Sequence, residues 1–478
     1  MKVVLLISDT LRRDHLGLYG SSEVKTPNFD RLSESATVFD RAYCGSFPTV
    51  PHRTDVITGR NTFTSGGWQA LPRDASTLPA ALNGAGYVTM LISDTPHIFQ
   101  HGFNFDRDFT AWDYIRGQTV DRWRTDPHHV DFPCKREKVR SADTTASQHV
   151  RNNSLRQFEE DWLPARVATS AMHWLERNYM LDDFFLWVGM FDPHEPWDPP
   201  QWYVDMYDPG YEGEVIEYPL YDKTDFLTPE ELNHCRARYR GEVTLVDHWM
   251  GNILRKLEML GIYDETMIIM TTDHGFCIGE RGYIGKSVIR SKYQQYIPLF
   301  DEIAHIPLVM KVPGQKKQVR SNALVQPVDI TASILDFCGV PIPQDFHGKS
   351  MLPLTNSKAE RIRELAVSSP SLWGGANPYA RSTVTTDEWT FIYGGVPDVQ
   401  AEDYEDRVVD GIPRKHTKLV DQELKPMLFN NRSDPLQANN VYEDHKDMAR
   451  EIHAKFISYV RELGTPEEFL ASRKEIAD

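Results

Sequence analysis

Ser46-Phe47-Pro48-Thr49-Val50-Pro51-His52-Arg53-Thr54-Asp55-Val56-Ile57-Thr58-Gly59-Arg60 is the stretch on which the reading of this chain turns. It reads as a loop running into a short helix. Thr49 suits the N-cap, where its hydroxyl can accept an amide proton of the first turn. Pro51 fits that first turn, which needs no amide, and Gly59 suits the residue beyond the last one. A hydroxyl at a helix N-terminus, with Arg53 one turn further on, sits in positive potential and offers a place for an anionic group. Taken alone, T-x-P-x-R describes no more than a capped surface helix. The rest of the chain gives it company.

Val3 to Ile7 is a continuous apolar run, the signature of a strand buried on both faces in a parallel sheet, and Asp9 follows at its carboxyl end. Phe29 to Thr37 reads as a helix, and Val38-Phe39 leads on toward the loop quoted above. Leu78 to Ala85 is a helix closed by Gly86. Tyr87 to Ile92 is a second buried strand ending in Ser93-Asp94, and Phe184 to Phe191 is a third ending in Asp192-Pro193-His194. Met267 to Thr272 is a fourth, ending in Asp273-His274-Gly275. Strands alternating with helices predict an α/β fold with a doubly wound, mostly parallel sheet. Polar residues at four carboxyl ends mark the edge where such sheets bind ligands.

The chain has 478 residues, 40% hydrophobic and 25% charged, ample for a sizeable core. Its formal net charge of −17 argues against nucleic acid or an anionic membrane as partner. An anionic substrate stays compatible, because a metal ion and a few cations can reverse the field in one cleft. Cys44, Cys134, Cys235, Cys277 and Cys338 are odd in number and widely spread, which suggests neither a disulfide framework nor a zinc cluster. With an opening apolar run too short for a signal peptide and no membrane-length stretch, a cytoplasmic location is expected.

Between the second and third strands, residues 104–166 are polar and rich in charge, with Trp112, Trp123, Arg116, Arg122, Arg124 and the pair His128-His129. They read as an irregular excursion over the active face that takes part in substrate selection, or as a solvated surface insertion. The histidine pair has no ligand-like company and reads as a surface pair. Beyond about residue 360, a strand pair near Arg381–Thr385 and Glu388–Tyr393 and a helix from about Lys446 to Leu463 suggest a smaller C-terminal α+β subdomain. The expected division is 1–360 and 361–478.

Thr49-x-Pro51-x-Arg53, followed at matching spacing by Thr58-Gly59-Arg60, resembles the nucleophile motif of the sulfatase family, C/S-x-P-x-R-x4-T-G-R, with threonine in the Cys/Ser position. The rival register Ser46-x-Pro48 puts Val50 where the arginine belongs. Asp273-His274-Gly275 with Lys286 downstream, Pro193-His194-x-Pro196-Trp197, and Gly348-Lys349-Ser350-Met351-Leu352-Pro353-Leu354 resemble further family motifs. The alkaline-phosphatase superfamily, to which sulfatases belong, also holds phosphonate monoester hydrolases and phosphodiesterases, and several members use a threonine directly.

The resemblance implies one divalent metal ion, Ca²⁺, Mg²⁺ or Mn²⁺ with Zn²⁺ also compatible, held by Asp9, Thr49, Asp273 and His274. It implies Thr49 as nucleophile, Arg53 holding that nucleophile and a non-bridging oxygen, and Lys286 neutralising the transferred group. His194 would point at the leaving oxygen, as general acid or as an orienting group. Sulfatases commonly place a second acid after the first, where this chain has Thr10. Many carry a lysine where it has Asp94, so Asp94 and His97 are expected to face the pocket and set substrate preference without cleaving bonds. Threonine is not a recognised source of formylglycine, and a sulfated threonine lacks that group's exit. The expected activity is therefore hydrolysis of a phosphoric ester (diester, phosphonate monoester or monoester). A sulfatase working without formylglycine and a non-catalytic binding protein are the alternatives. The partner is a small-molecule or carbohydrate ester, and a homo-oligomer is compatible with the reading.

Overall fold

Val3, Val4, Leu5, Leu6 and Ile7 are wholly shielded from solvent in strand β1 (Lys2–Ser8). Successive side chains leave opposite faces of a strand. Val3, Leu5 and Ile7 enter one apolar layer with Val50, Val56 and Ile57 of the helix Thr49–Thr58. Val4 and Leu6 enter a second layer with Val243, Val246 and Met250 of the helix Pro229–Met259. Both faces are covered, which is why an unbroken apolar run encodes this strand. Truncating a side chain such as Leu5 to alanine costs about 2–5 kcal/mol.

The computed structural model describes residues 1–127, 129–290, 293–372, 380–395, 404–409, 412–416 and 425–476. His128 lies outside them, whereas His129 is exposed and pairs with Asp131 at 3.0 Å. Among the described residues nine strands share the central sheet. They are β1, β2 (Thr37–Tyr43), β3 (Val88–Ser93), β4 (Ala111–Tyr114), β5 (Phe184–Met190), β6 (Thr266–Thr272), β7 (His305–Ile306), β8 (Leu308–Lys311) and β9 (Val319–Val325). Their order is β7-β2-β8-β6-β1-β5-β3-β4, with β9 also on β2. The run β6-β1-β5-β3-β4 is parallel throughout. β8 runs antiparallel to both β6 and β2. The result is the expected α/β architecture with a mixed, mostly parallel sheet.

Two local expectations change. The helix expected over Phe29–Thr37 is Pro27–Ser33, because Thr37 and Val38 pair with Met310 and Val309 of β8. Residues 104–166 are only partly irregular. They supply β4, which extends the sheet beside β3, and the helix Thr145–Asn153.

The smaller C-terminal α+β subdomain is present. Ser382–Thr385 pairs antiparallel with Trp389–Tyr393, flanked by Ala366–Ser368 and Met427–Asn430. The helix Lys446–Glu462 buries Ala449, Ile452, Phe456 and Val460, a stripe at helical spacing, against Val384, Phe391 and Tyr393. Ser369 donates its amide to the Gly45 carbonyl and accepts from the amide of Phe47, which stitches this subdomain to the loop before Thr49. No helix among the described residues is long and apolar enough to cross a membrane.

Candidate active site and metal centre

Four neighbouring parallel strands end side by side in the candidate site residues. Asp273-His274 follow β6, Asp9 follows β1, Asp192 to His194 follow β5 and Asp94 follows β3. The helix Thr49–Thr58 lies over the same edge. It begins at Thr49 itself, with Pro48 as the flanking residue and no side-chain capping bond. Thr49 is therefore not the N-cap expected from local sequence. Its hydroxyl is left to face the cavity described below.

Asp55, and not a capping hydroxyl, fixes this end of the helix. Its carboxylate accepts from the Ser46 amide at 2.8 Å, the Ser46 hydroxyl at 2.7 Å and the Thr62 amide at 2.7 Å. Burial pushes the Asp55 carboxyl up to about 6 against these bonds. At the far end Gly59 adopts φ +64°, and a Cβ there would meet the Phe346 ring at 2.3 Å. Both ends of the helix are thus pinned, and Thr49 with them.

Arg53, 1% exposed, reaches from this helix to both strand-end carboxylates. Its Nη2 lies 3.5 Å from Asp9 Oδ2 and its Nη1 3.7 Å from Asp273 Oδ2. Thr10 turns back at φ +60°, donating its hydroxyl to Asp9 Oδ1 and its amide to Asp273 Oδ1. Burial, then the charge of Asp273, push the Asp9 carboxyl well above its usual range. Burial acts the same way on Asp273, but His274 and Arg53 outweigh it and hold that carboxyl well below.

A divalent cation fits here. One donor atom each from Asp9, Asp273 and His274 lie within 4.8 Å of one another. Asp273 Oδ2 is buried and has no hydrogen-bond partner. His274 Nδ1 lies 2.8 Å from the Gly275 carbonyl, which assigns the proton to Nδ1 and leaves the Nε2 lone pair as donor. Burial pushes this imidazole down to about 3, so it is neutral and competent as a ligand. Two carboxylates and one imidazole form a triad capable of coordinating a divalent metal.

His194 is held in the same way. Its Nδ1 lies 2.8 Å from the Glu195 carbonyl, and burial, then Lys286, hold the ring well below its usual range. Nε2 is left for the cavity. Sequence reading passed over Glu195, whose carboxylate accepts from Arg140 and, at 2.6 Å, from the Tyr221 hydroxyl. The Arg140 guanidinium lies 4.2 and 3.9 Å from the ring centres of Tyr218 and Tyr221. Only the tertiary fold brings these groups together, although Glu195 adjoins His194 in sequence.

The cavity in front of these residues encloses about 820 Å³. Thr49, His194 and Lys286 lie on its wall, as does His97. Segment 119–151 supplies Thr119, Val120, Arg122, Arg140, Gln148 and Arg151, among others, to the cavity lining. Asp94 is not among the lining residues. It is fully buried, its Oδ1 accepting at 2.8 Å from the amide of Phe191, which does line the cavity.

The sulfatase family profile matches residues 2–340. The chain belongs to the sulfatase family and is a hydrolase of the class acting on phosphoric or sulfuric ester bonds. Among curated relatives, the ulvan-active sulfatase of Formosa agariphila is 24% identical over 97% of this chain and 81% of its own length. Human arylsulfatase K is 25% identical over 82% of this chain and 74% of its own. Among solved structures, the phosphonate monoester hydrolase of Agrobacterium radiobacter superposes with a TM-score of 0.70 at 20% identity, covering 96% of this chain and 95% of that one. A protein solved with its substrate D-glucosamine-2-N,6-O-disulfate gives 0.69 at 18% identity, covering 99% of both.

Proposed function

We propose that this chain hydrolyses a phosphoric ester, as a diester, phosphonate monoester or monoester, through an unmodified Thr49. The observation that carries this reading is the placement of Thr49. It opens its helix on the cavity wall with His194 and Lys286, and Arg53, one turn on, spans the Asp9 and Asp273 carboxylates. A bound divalent cation, held by Asp9, Asp273 and His274 with Thr49 completing the set, would supply Lewis acidity at the ester.

The Thr49 oxygen forms a bond to phosphorus as the bond to the leaving oxygen breaks. Arg53 holds the nucleophile and a non-bridging oxygen, and Lys286 offsets the charge on the transferred group. His194 Nε2, which carries a lone pair, orients the leaving oxygen, taking up the proton that the Thr49 hydroxyl releases and passing it to that oxygen. Water then attacks phosphorus, the bond from phosphorus to the Thr49 oxygen breaks, and one proton of the water returns to that oxygen. Asp94 sets substrate preference through Phe191, and His97 does so directly from the cavity wall.

The names of the curated relatives favour a second reading, a sulfuric ester hydrolysed without formylglycine. Water must then cleave a threonine sulfate, for which the site offers no aldehyde exit. A non-catalytic role is disfavoured by the joint presence of Asp9, Arg53, His194, Asp273, His274 and Lys286. A turnover panel of aryl sulfate, phosphate monoester, diester and phosphonate, run metal-free and then with each cation, tests the choice. Metal-dependent turnover fastest on a phosphorus ester is expected, and turnover confined to aryl sulfate would overturn the reading.

A further inference from the structure

The cavity wall formed by segment 119–151 carries more positive charge than the reacting group accounts for. Lys286 and Arg53 already face the ester. Arg140 is matched by Glu195, and Asp143, the acid on that wall, by Arg136. Arg122 and Arg151 remain. Among the described residues neither forms an ion pair with a carboxylate, in a chain of net charge −17. Arg151 is steadied by Gln148, whose Oε1 accepts from Nη1 at 3.1 Å.

The wall that carries them is built, not loose. Gln148 donates to the Arg124 carbonyl at 2.9 Å, and Asn152 donates to the carbonyls of Asp121 at 2.7 Å and Gly117 at 3.2 Å. These bonds lock the loop that bears Arg122 to the helix Thr145–Asn153 that bears Arg151. Guanidinium groups carried on such a wall suit oxyanions, which they bind through charge-assisted hydrogen bonds.

We propose that Arg122 and Arg151 form a second anion subsite, so that the substrate is an ester bearing a further anionic group, carboxylate or oxyanion, on its leaving or retained part. The inference deepens the ester-hydrolase reading and rests on it. The test uses binding, not turnover, so the two fail separately. Benzenesulfonate and benzene-1,3-disulfonate resist cleavage and differ only in the second charge.

Calorimetry on the metal-loaded full chain is expected to show the disulfonate binding at least about tenfold more tightly than the monosulfonate. In Arg122→Gln/Arg151→Gln that ratio should fall to near one while monosulfonate affinity stays within about twofold, which also reports an intact fold. A comparable preference for 3-sulfobenzoate would identify a carboxylate as the second group, and its absence a sulfate- or phosphate-like oxyanion. Equal affinities in the native chain, no binding of either sulfonate, an undiminished ratio in the variant, or parallel loss of both ligands would each overturn the proposal.

Discussion

Nζ of Lys286 lies 3.1 Å from Nε2 of His274, on the lone pair that a metal ion would need. Nδ1 of the same ring is committed to the Gly275 carbonyl, so Nε2 has one lone pair to offer. Ammonium and cation compete for it. Lys286→Met should therefore bind Mg²⁺ or Mn²⁺ several-fold more tightly by calorimetry, while turnover falls by about 100-fold or more because charge on the transferred group is left unopposed. Weaker metal binding in the variant would contradict this competition.

Metal binding should appear in stability as well as in activity. A cation at about 100 times its Kd stabilises the native state by about 2.7 kcal/mol. The wild-type melting temperature should rise accordingly and return on chelation, with turnover lost in step. Asp9→Asn should lose both the rise and the turnover. Its metal-free form should melt no lower than wild type, since a buried carboxyl beside Asp273 is replaced by a neutral isostere.

Asp94 gives a pH signature. Burial pushes its carboxyl up to about 7, against the amide bond from Phe191. The native state thus keeps a proton that the unfolded chain releases near pH 4, and stability falls as pH rises between those values. Asp94→Asn cannot ionise. Its stability relative to wild type should climb from pH 4 to pH 7 by at most about 4 kcal/mol and level off above, as read from urea midpoints across pH. A flat difference would show that Asp94 ionises as freely folded as unfolded.

His194 should matter most where the leaving group is poor. A well-stabilised nitrophenolate departs without a proton, whereas an alkoxide needs one. His194→Ala should lower kcat/KM by about 100-fold or more for an alkyl ester and by about tenfold or less for a 4-nitrophenyl ester. Equal losses on both would leave His194 an orienting role alone.

The sheet and the cluster of Asp9, Asp273 and His274 were legible because each rests on a local pattern. Val3–Ile7 and Met267–Thr272 are apolar runs followed at once by acids, and Gly59 marks its helix end by backbone freedom alone. Features that depend on distant partners were not. The edge of β2 is decided by β8, some 270 residues away. The start of the Thr49 helix is decided by Asp55, whose carboxylate outweighs a local capping preference. Glu195 meets Arg140 across 55 residues of sequence, and nothing in either neighbourhood announces the pair. Asp94 was placed at the correct strand end, but strand alternation does not tell a side chain that faces the cavity from one buried beneath Phe191.

In the proposed reaction the unmodified Thr49 hydroxyl attacks phosphorus. The most direct test is the stereochemical course with a phosphorus ester made chiral by oxygen isotopes. Two successive in-line displacements, first by Thr49 and then by water, predict overall retention of configuration. Inversion would mean a single displacement by water and would contradict the account.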